Sequence, residues 1–336
     1  MYYDRTLSLE TSALLEQNGK LRWLFDFVKS HEELDFLIGK NNSNEWLSIY
    51  RGLSRILTIN RLKRLPNIIK ISAAAAYEAL DKKQNIQLYG KRDVNENFID
   101  KITAIINEVR NDKKFDRYYI NKKEGYFQNI LSRSFGICGE ADDNFVILDK
   151  EAVVGYKDTA EKNKEFGKFQ YKYKALQKEI SRINAKRFGS NLEKKALGNE
   201  LDFLALDKEG NILLIEYKHG TNTSGIYLSP LQIGLYYDIF SEFMLRNPKK
   251  FEESIYSMLN QRQKIGLINS DWHPPAAIKG ILPVLIISKY NEKTTAKNNF
   301  FDILKIARNE LLDKSFLSDL QIYQFSENND LELLSW

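Results

Sequence analysis

Two apolar runs joined by a short polar turn constrain this chain more tightly than anything else in it. Leu201-Asp202-Phe203-Leu204-Ala205-Leu206 is followed by Asp207-Lys208-Glu209-Gly210-Asn211 and then by Ile212-Leu213-Leu214-Ile215-Glu216-Tyr217-Lys218. Apolar runs of this length, bounded by turn residues, read as the two strands of a hairpin. A three-residue loop at Lys208-Glu209-Gly210, with Gly210 left-handed, closes such a hairpin and pairs Asp207 with Asn211. Counting along the ladder from that pair sets Asp202 opposite Glu216 and Glu200 opposite Lys218. Side chains alternate along a strand, so these four share one face with Leu204, Leu206, Ile212 and Leu214. Leu201, Phe203, Ala205, Leu213, Ile215 and Tyr217 take the other face. Both faces are largely apolar, which places the hairpin in the middle of a sheet covered by helices.

Ionisable groups in strands built for burial are costly unless something compensates them. Directly opposed side chains have Cβ atoms roughly 4.5–5.5 Å apart, and like charges so placed repel. One Mg²⁺, with oxygen ligands at about 2.0–2.1 Å, converts that repulsion into coordination. The competing reading is an ordinary charged strand end with Asp202 capping its start. That reading leaves unexplained why two acids and an amine converge among Leu and Ile.

This arrangement resembles the PD-(D/E)xK nuclease superfamily. Asp202 matches the motif aspartate, although Leu201 stands where the motif proline would be, and Glu216-Tyr217-Lys218 matches the ExK element. The stretch from Gly198 to Gly220 is similar to the hairpins of archaeal-type Holliday-junction resolvases and of single-strand or mismatch endonucleases. Ser229-Pro230 offers an N-cap and a first-turn proline for a following helix. Gln232 and Tyr236, four apart on that helix, match the QxxxY element of RecB-like nucleases. The similarity does not extend to the first 120 residues.

The resemblance implies an α/β fold: a restriction-endonuclease-like core, with a mixed central sheet flanked by helices. It implies a Mg²⁺- or Mn²⁺-dependent deoxyribonuclease, serving restriction, repair or phage defence. Asp202, Glu216 and the backbone carbonyl of Tyr217 would hold the metal. Lys218 would orient the attacking water or stabilise the charge growing on phosphorus. Gln232 would position Lys218 or a water, and Tyr236 would pack against or contact a phosphate. The family also supplies an acid from the helix before the sheet, for which two residues compete. Glu124 opens Glu124-Gly125-Tyr126-Phe127-Gln128-Asn129-Ile130-Leu131 ahead of the strand-like Phe145–Leu148, and is favoured over Glu179, which lies nearer to Asp202. Glu200 is expected to hold Lys218. The alternative to a nuclease is a non-catalytic nucleic-acid-binding or assembly protein on the same fold; retention of Asp202, Glu216 and Lys218 argues against it.

At 336 residues the chain has room for two domains. Residues 1–115 read as an N-terminal α+β domain, a specificity or docking module through which a second copy or a partner protein could bind. Helices are expected over Leu9–Glu16, Leu21–Lys29, Ile71–Leu80 and Ile99–Arg110, with strands over Trp46–Ile59. Arg51, Arg55, Arg61, Lys63 and Arg64 form a basic cluster that either meets phosphates or is scattered on the surface. Residues 116–336 read as the nuclease-like domain, with a basic helical insertion at 156–190. Within it, Phe166, Phe169, Tyr173, Leu176, Ile180 and Ile183 mark one apolar helix face. The rest of that helix, Ala160–Arg187, carries nine Lys or Arg against three Glu, and Lys168, Lys172 and Lys178 form a candidate phosphate track. Further on, helices are expected over Leu231–Leu245, Phe251–Gln263 and Phe300–Leu312. A core strand over Lys279–Ser288 and a final edge strand over Leu320–Phe325 complete the pattern.

The formal net charge of +5 permits DNA as a partner without requiring it. Cys138 stands alone, so no internal disulfide forms, as in a reducing cytoplasm. The N-terminus lacks a basic-then-apolar signal pattern, and no apolar run approaches a membrane span. Three His and one Cys are too few for a structural zinc site. His219 and His273 read as a strand-end surface residue and a loop residue.

Overall fold

A computed structural model describes residues 1–41, 44–62, 65–73, 96–111, 119, 121–183, 196–198, 200–290, 295–310 and 319–335. The chain divides into two compact units. One comprises residues 4–143 with 254–273, the other residues 1–3, 144–253 and 274–336. The boundary thus falls after Asp143 rather than after residue 115, and a later segment returns to the N-terminal unit.

The N-terminal unit is α+β. Helices α1 (Leu9–Ala13) and α2 (Arg22–Lys29) precede strands β1 (Leu34–Lys40), β2 (Asn44–Arg51), β3 (Ser54–Leu62) and β4 (Leu65–Ala73). The strands form an antiparallel meander in that order. Helices α3 (Glu96–Asn111) and α4 (Glu124–Ser132) follow. Leu24, Phe25 and Val28 of α2, Phe36 and Ile38 of β1, and Ile102, Ile105 and Ile106 of α3 share one buried cluster. The helix expected over Ile71–Leu80 is overturned at its start: Ile71, Ser72 and Ala73 pair with Ile59, Thr58 and Leu57 of β3, the strand ladder overriding the local helical preference. Residues 74–80 lie outside the described residues, as do Lys63 and Arg64 of the basic cluster. Arg61 is a scaffold residue, its guanidinium bonding Ser8 and Thr11 beside the buried Glu45 carboxylate, which both hydroxyls also contact. The Arg51 guanidinium lies over the Tyr119 ring.

The C-terminal unit is a six-stranded mixed sheet flanked by helices. Its elements are β5 (Phe145–Ala152), α5 (Thr159–Ile183), β6 (Leu201–Asp207), β7 (Asn211–His219), α6 (Thr223–Arg246), β8 (Gly280–Ser288), α8 (Thr295–Glu310), β9 (Gln321–Phe325) and β10 (Leu331–Leu333); helix α7 (Pro248–Lys264), between α6 and β8, starts here and belongs to the N-terminal unit from residue 254. The sheet order is β10-β9-β8-β7-β6-β5. Strands β5, β6 and β7 are antiparallel neighbours; β8 and β9 continue parallel to β7, as their helical crossovers require. Helix α6 lies on β7 and β8, and α5 and α8 pack on α6. Strand β9 is not the edge, because β10 turns back to pair with it. Pro283 is tolerated within β8 because β9 pairs only from Val284 onward, so Pro283 has a single strand neighbour. No helix among the described residues is long and apolar enough to cross a membrane.

Helix α6 departs from expectation at its start. Ser229-Pro230 does not open the helix; Asn222 does, its side chain accepting the Gly225 N–H at 3.1 Å. Pro230 therefore sits inside the helix and withholds the N–H that the Ile226 carbonyl would accept. The Ser229 hydroxyl replaces it, donating to Ile226 O at 2.7 Å. Ser229 is buried, so water cannot take over this role. Ser229→Ala should therefore lower stability by roughly 1–3 kcal/mol in urea unfolding, the cost of an unmet buried polar group. Adding Pro230→Ala, which restores the N–H, should recover much of the loss. Unchanged stability in Ser229→Ala would disprove the compensation.

Candidate active site

Strand β6 ends at Asp207, β7 begins at Asn211, and Gly210 between them has φ +98°. Asp207 also caps the turn, its carboxylate accepting the Asn211 N–H at 2.7 Å. The expected register holds: Phe203 pairs with Ile215, Leu204 with Leu214, Ala205 with Leu213 and Leu206 with Ile212. One pair further along, the Asp202 carboxylate takes the Tyr217 N–H at 2.8 Å. Strand β7 lies between β6 and β8 and is buried along almost its whole length. Hence Glu216 keeps only 2% side-chain exposure and Lys218 9%, while Asp202 keeps 25%. The cluster opens on the Asp202 side.

Three oxygens meet at the Lys218 ammonium. Glu216 Oε1 bonds it directly, the Tyr217 carbonyl lies at 3.0 Å and Asp202 Oδ2 at 3.7 Å. Two carboxylates against one ammonium leave the trio net anionic. The strand geometry explains the gathering: residues 216 and 218 share a face, and the in-register hairpin sets residue 202 beside them. Tyr217, on the opposite face, anchors that end of the strand by bonding Ser288 of β8. His219 is buried rather than a surface residue, its Nδ1 lying 2.8 Å from the Thr221 hydroxyl.

Helix α6 closes the cluster from above. The Tyr236 hydroxyl donates to the Glu200 carbonyl at 2.7 Å. Burial first, then the charges of Glu216, Asp202 and Glu200, push its pKa upward, so the phenol remains a protonated donor. Gln232 and Tyr236 both meet the segment leading into β6 at Gly198. A Cβ added at Gly198 would lie 3.0 Å from Gln232 Nε2 and 3.1 Å from Tyr236 Oη, and the residue has φ +80°. Gly198 is thus the site residue that sequence reasoning missed; its signal was a glycine three residues before a strand, with no hairpin of its own to justify it. Gln232 is placed at the entrance to β6. Glu200 lies before β6, exposed, and offers its carbonyl to Tyr236, while the bonds to Lys218 come from Glu216, Tyr217 and Asp202.

Glu124 opens α4 in the N-terminal unit, and Glu179 forms a 2.6 Å ion pair with Arg182 on the outside of α5. Among the described residues, no three His, Cys, Asp or Glu side chains are gathered to hold a metal. A cation here would rest on Asp202, Glu216 and the Tyr217 carbonyl. That hard-oxygen set suits Mg²⁺, which is commonly held by one or two carboxylates and keeps several waters. The basic helix is partly neutralised from within. Lys172 pairs with Asp238 at 2.8 Å and Lys168 with Glu242 at 3.5 Å, both acids belonging to α6, whereas Lys178 is exposed. Lys186 and Arg187 lie outside the described residues.

No family model matches the chain, and no curated protein or solved structure matches it at a significant level.

Gly198→Ala should cost roughly 1–3 kcal/mol, combining left-handed strain with the contact on Gln232 and Tyr236. Tyr236→Phe should relieve part of that cost, so the two effects should fall short of additivity in a double-mutant cycle read by denaturant unfolding. Simple additivity would show that Gly198 and Tyr236 are not in contact.

Proposed function

We propose that this chain is a metal-dependent nuclease that hydrolyses DNA phosphodiester bonds on a restriction-endonuclease-like core. The observation that carries the reading is the convergence of Asp202 Oδ2, Glu216 Oε1 and the Tyr217 carbonyl on one cationic atom at the open end of a buried hairpin. The order β5-β6-β7 antiparallel, a crossover through α6 and then β8 parallel supports the core assignment, as does the QxxxY pair on α6 facing the entrance to β6.

Electrostatics favour the same reading. A net anionic trio repels a phosphate unless another cation joins it. A bound Mg²⁺ or Mn²⁺ would supply that charge and lower the pKa of a coordinated water. Asp202 and Glu216 would hold it, with Tyr217 contributing its carbonyl. Lys218, already beside both carboxylates, would orient the attacking water or stabilise the negative charge on the phosphoryl oxygens as the bond to the leaving oxygen breaks. Tyr236, kept protonated, spends its one O–H on the Glu200 carbonyl and so holds the entry to β6 at the edge of the cluster. Gln232 acts through Gly198 and the entry to β6, so it shapes the site rather than touching the reacting atoms.

Lys218 is a poor residue to delete, because removing one member of a buried pair strands Glu216 and costs about 3–5 kcal/mol. Asp202 is partly exposed, and Asp202→Asn retains an acceptor for the Tyr217 N–H. The expected outcome is that Asp202→Asn unfolds like the wild type, no longer binds Mn²⁺ in calorimetry, and loses cleavage of labelled single-stranded, duplex and branched DNA by about 10²–10³-fold or more. Wild-type cleavage by Asp202→Asn would end this assignment. A wild-type protein that binds DNA but neither binds Mn²⁺ nor cuts would instead indicate a non-catalytic nucleic-acid-binding protein.

A further inference from the structure

Helix α5 packs on α6 through one face and leaves another in solvent. Lys164, Lys168, Tyr171, Ala175 and Lys178 recur at steps of four and three, so they line one stripe of the helix, with Lys174 beside it. All six are exposed. At a rise of roughly 1.5 Å per residue, the stripe runs about 21 Å from Lys164 to Lys178. That length matches about six nucleotides at the roughly 3.4 Å rise of one strand.

The positive charge of this stripe is not cancelled by the helix itself. Its acids are already taken: Glu161 by the Met1 amine at 2.8 Å, Glu165 by Arg246 at 3.0 Å and Glu179 by Arg182 at 2.6 Å. Among the described residues, no acid pairs with Lys164, Lys174 or Lys178. Lys168 reaches Glu242 only at 3.5 Å, on the oxygen that Arg246 also holds.

Tyr171 sets the stripe apart from an ordinary solvated face. The residue is 78% exposed, a large ring standing in water among lysines. Gly167, one turn before it, is equally unexplained by packing. A Cβ there would meet no atom within 4 Å, and glycine weakens a helix relative to alanine. No atom of Tyr171 comes within 4 Å of that point either, so the ring is not packed down on the helix and the turn beside it is bare.

We propose that this stripe binds an unpaired nucleic-acid strand, with phosphates on Lys164, Lys168, Lys174 and Lys178 and one base stacked on Tyr171. A row of cations interleaved with an aromatic ring is the combination that holds single strands without regard to sequence. Bases inside a duplex are stacked on one another and offer Tyr171 no free face. An anionic membrane would meet the same lysines, but lying in its surface takes an apolar helix face, and that of α5 (Tyr173, Leu176, Ile180) is buried. The inference goes beyond the nuclease reading, because it concerns a second surface and holds whether or not the strand is cut.

The test uses the full-length protein carrying Asp202→Asn, in chelator. One carboxylate then faces one ammonium at the cluster, so nothing there repels a phosphate, and no metal is present to support cutting. A labelled single-stranded oligodeoxynucleotide and its oligoribonucleotide counterpart are titrated by fluorescence anisotropy at several salt concentrations. Tyr171→Ala should weaken strand binding about tenfold, the worth of one base–aromatic stack, while Tyr171→Phe keeps the parent affinity. Gly167→Leu, a better helix former that fills the bare turn, should weaken it several-fold. Replacing Lys164, Lys174 and Lys178 together by Gln should flatten the log–log salt slope by about 2, at roughly 0.7 per phosphate contact. Tight binding of either strand with these losses supports the proposal, and the tighter of the two names the sugar. Parent affinity in Tyr171→Ala, or a continuous duplex bound as tightly as the strand, would overturn it. Anionic phospholipid vesicles bound more tightly than either strand would overturn it in favour of a membrane surface. Failure of the nuclease reading shows separately, as absent Mn²⁺-dependent cutting by the wild type with these affinities intact.

Discussion

The register of one hairpin governs the candidate site. With Phe203 opposite Ile215 and Gly210 closing the turn, Asp202 comes to lie beside Tyr217, where its carboxylate holds the backbone N–H. A slip of one residue would send either Asp202 or the Glu216–Lys218 pair to the opposite face. The register is fixed from both ends: Gly210 and the Asp207 cap set the turn, and the Asp202 carboxylate of β6 holds the Tyr217 N–H of β7 at the open end. Burial on both sides of β7 then makes any alternative pairing expensive, because it would bury Glu216 and Lys218 among different apolar neighbours.

Around that hairpin, the rest of the C-terminal unit acts as a lid and a brace. Helix α6 passes over β7 and β8 and delivers Gln232 and Tyr236 to the entrance of β6, where Gly198 leaves room for them. Its own irregularity, Pro230, is absorbed by one serine hydroxyl. Helix α5 is fastened to α6 by Lys172–Asp238, Lys168–Glu242 and Glu165–Arg246. These ion pairs recast the charge of α5. Part of what looks like a phosphate track along the sequence is a joint between two helices, and the outward-facing lysines, such as Lys178, carry the remaining positive field.

Much of this was legible beforehand, and the misses have identifiable causes. The hairpin could be read because turn chemistry, alternation and apolar content agreed on one answer. Of the N-terminal sheet, β2 and β3 showed in the β-branched and aromatic residues of Trp46–Ile59, whereas β1 and β4 did not. The alanine run after Ile71 did not reveal that Ile71–Ala73 closes a sheet, since strand pairing overrides a helical local preference. Ser229-Pro230 imitates a helix start, and only the hydrogen bond to Ile226 shows that it lies inside one. The ion pairs between α5 and α6 join residues more than sixty positions apart, a separation at which periodicity carries no information. The return of residues 254–273 to the N-terminal unit is equally non-local.

The energetics of Glu216 and Lys218 make the strongest case that the cluster is functional. A buried ion pair is weak evidence for stability, because hydrophobic residues of similar volume often serve a core as well or better. Strand β7 consists almost entirely of such residues, and Leu or Ile at positions 216 and 218 would continue the pattern of Ile212, Leu213, Leu214 and Ile215. The fold therefore carries two charged groups where packing alone would use none. It places them at the one end of the hairpin where a third charged group, Asp202, reaches the same point and remains partly open to solvent. Asp202 also holds the Tyr217 N–H; on the proposed nuclease reading, the three groups together would serve an anionic substrate that must be met by a cation and a positioned water.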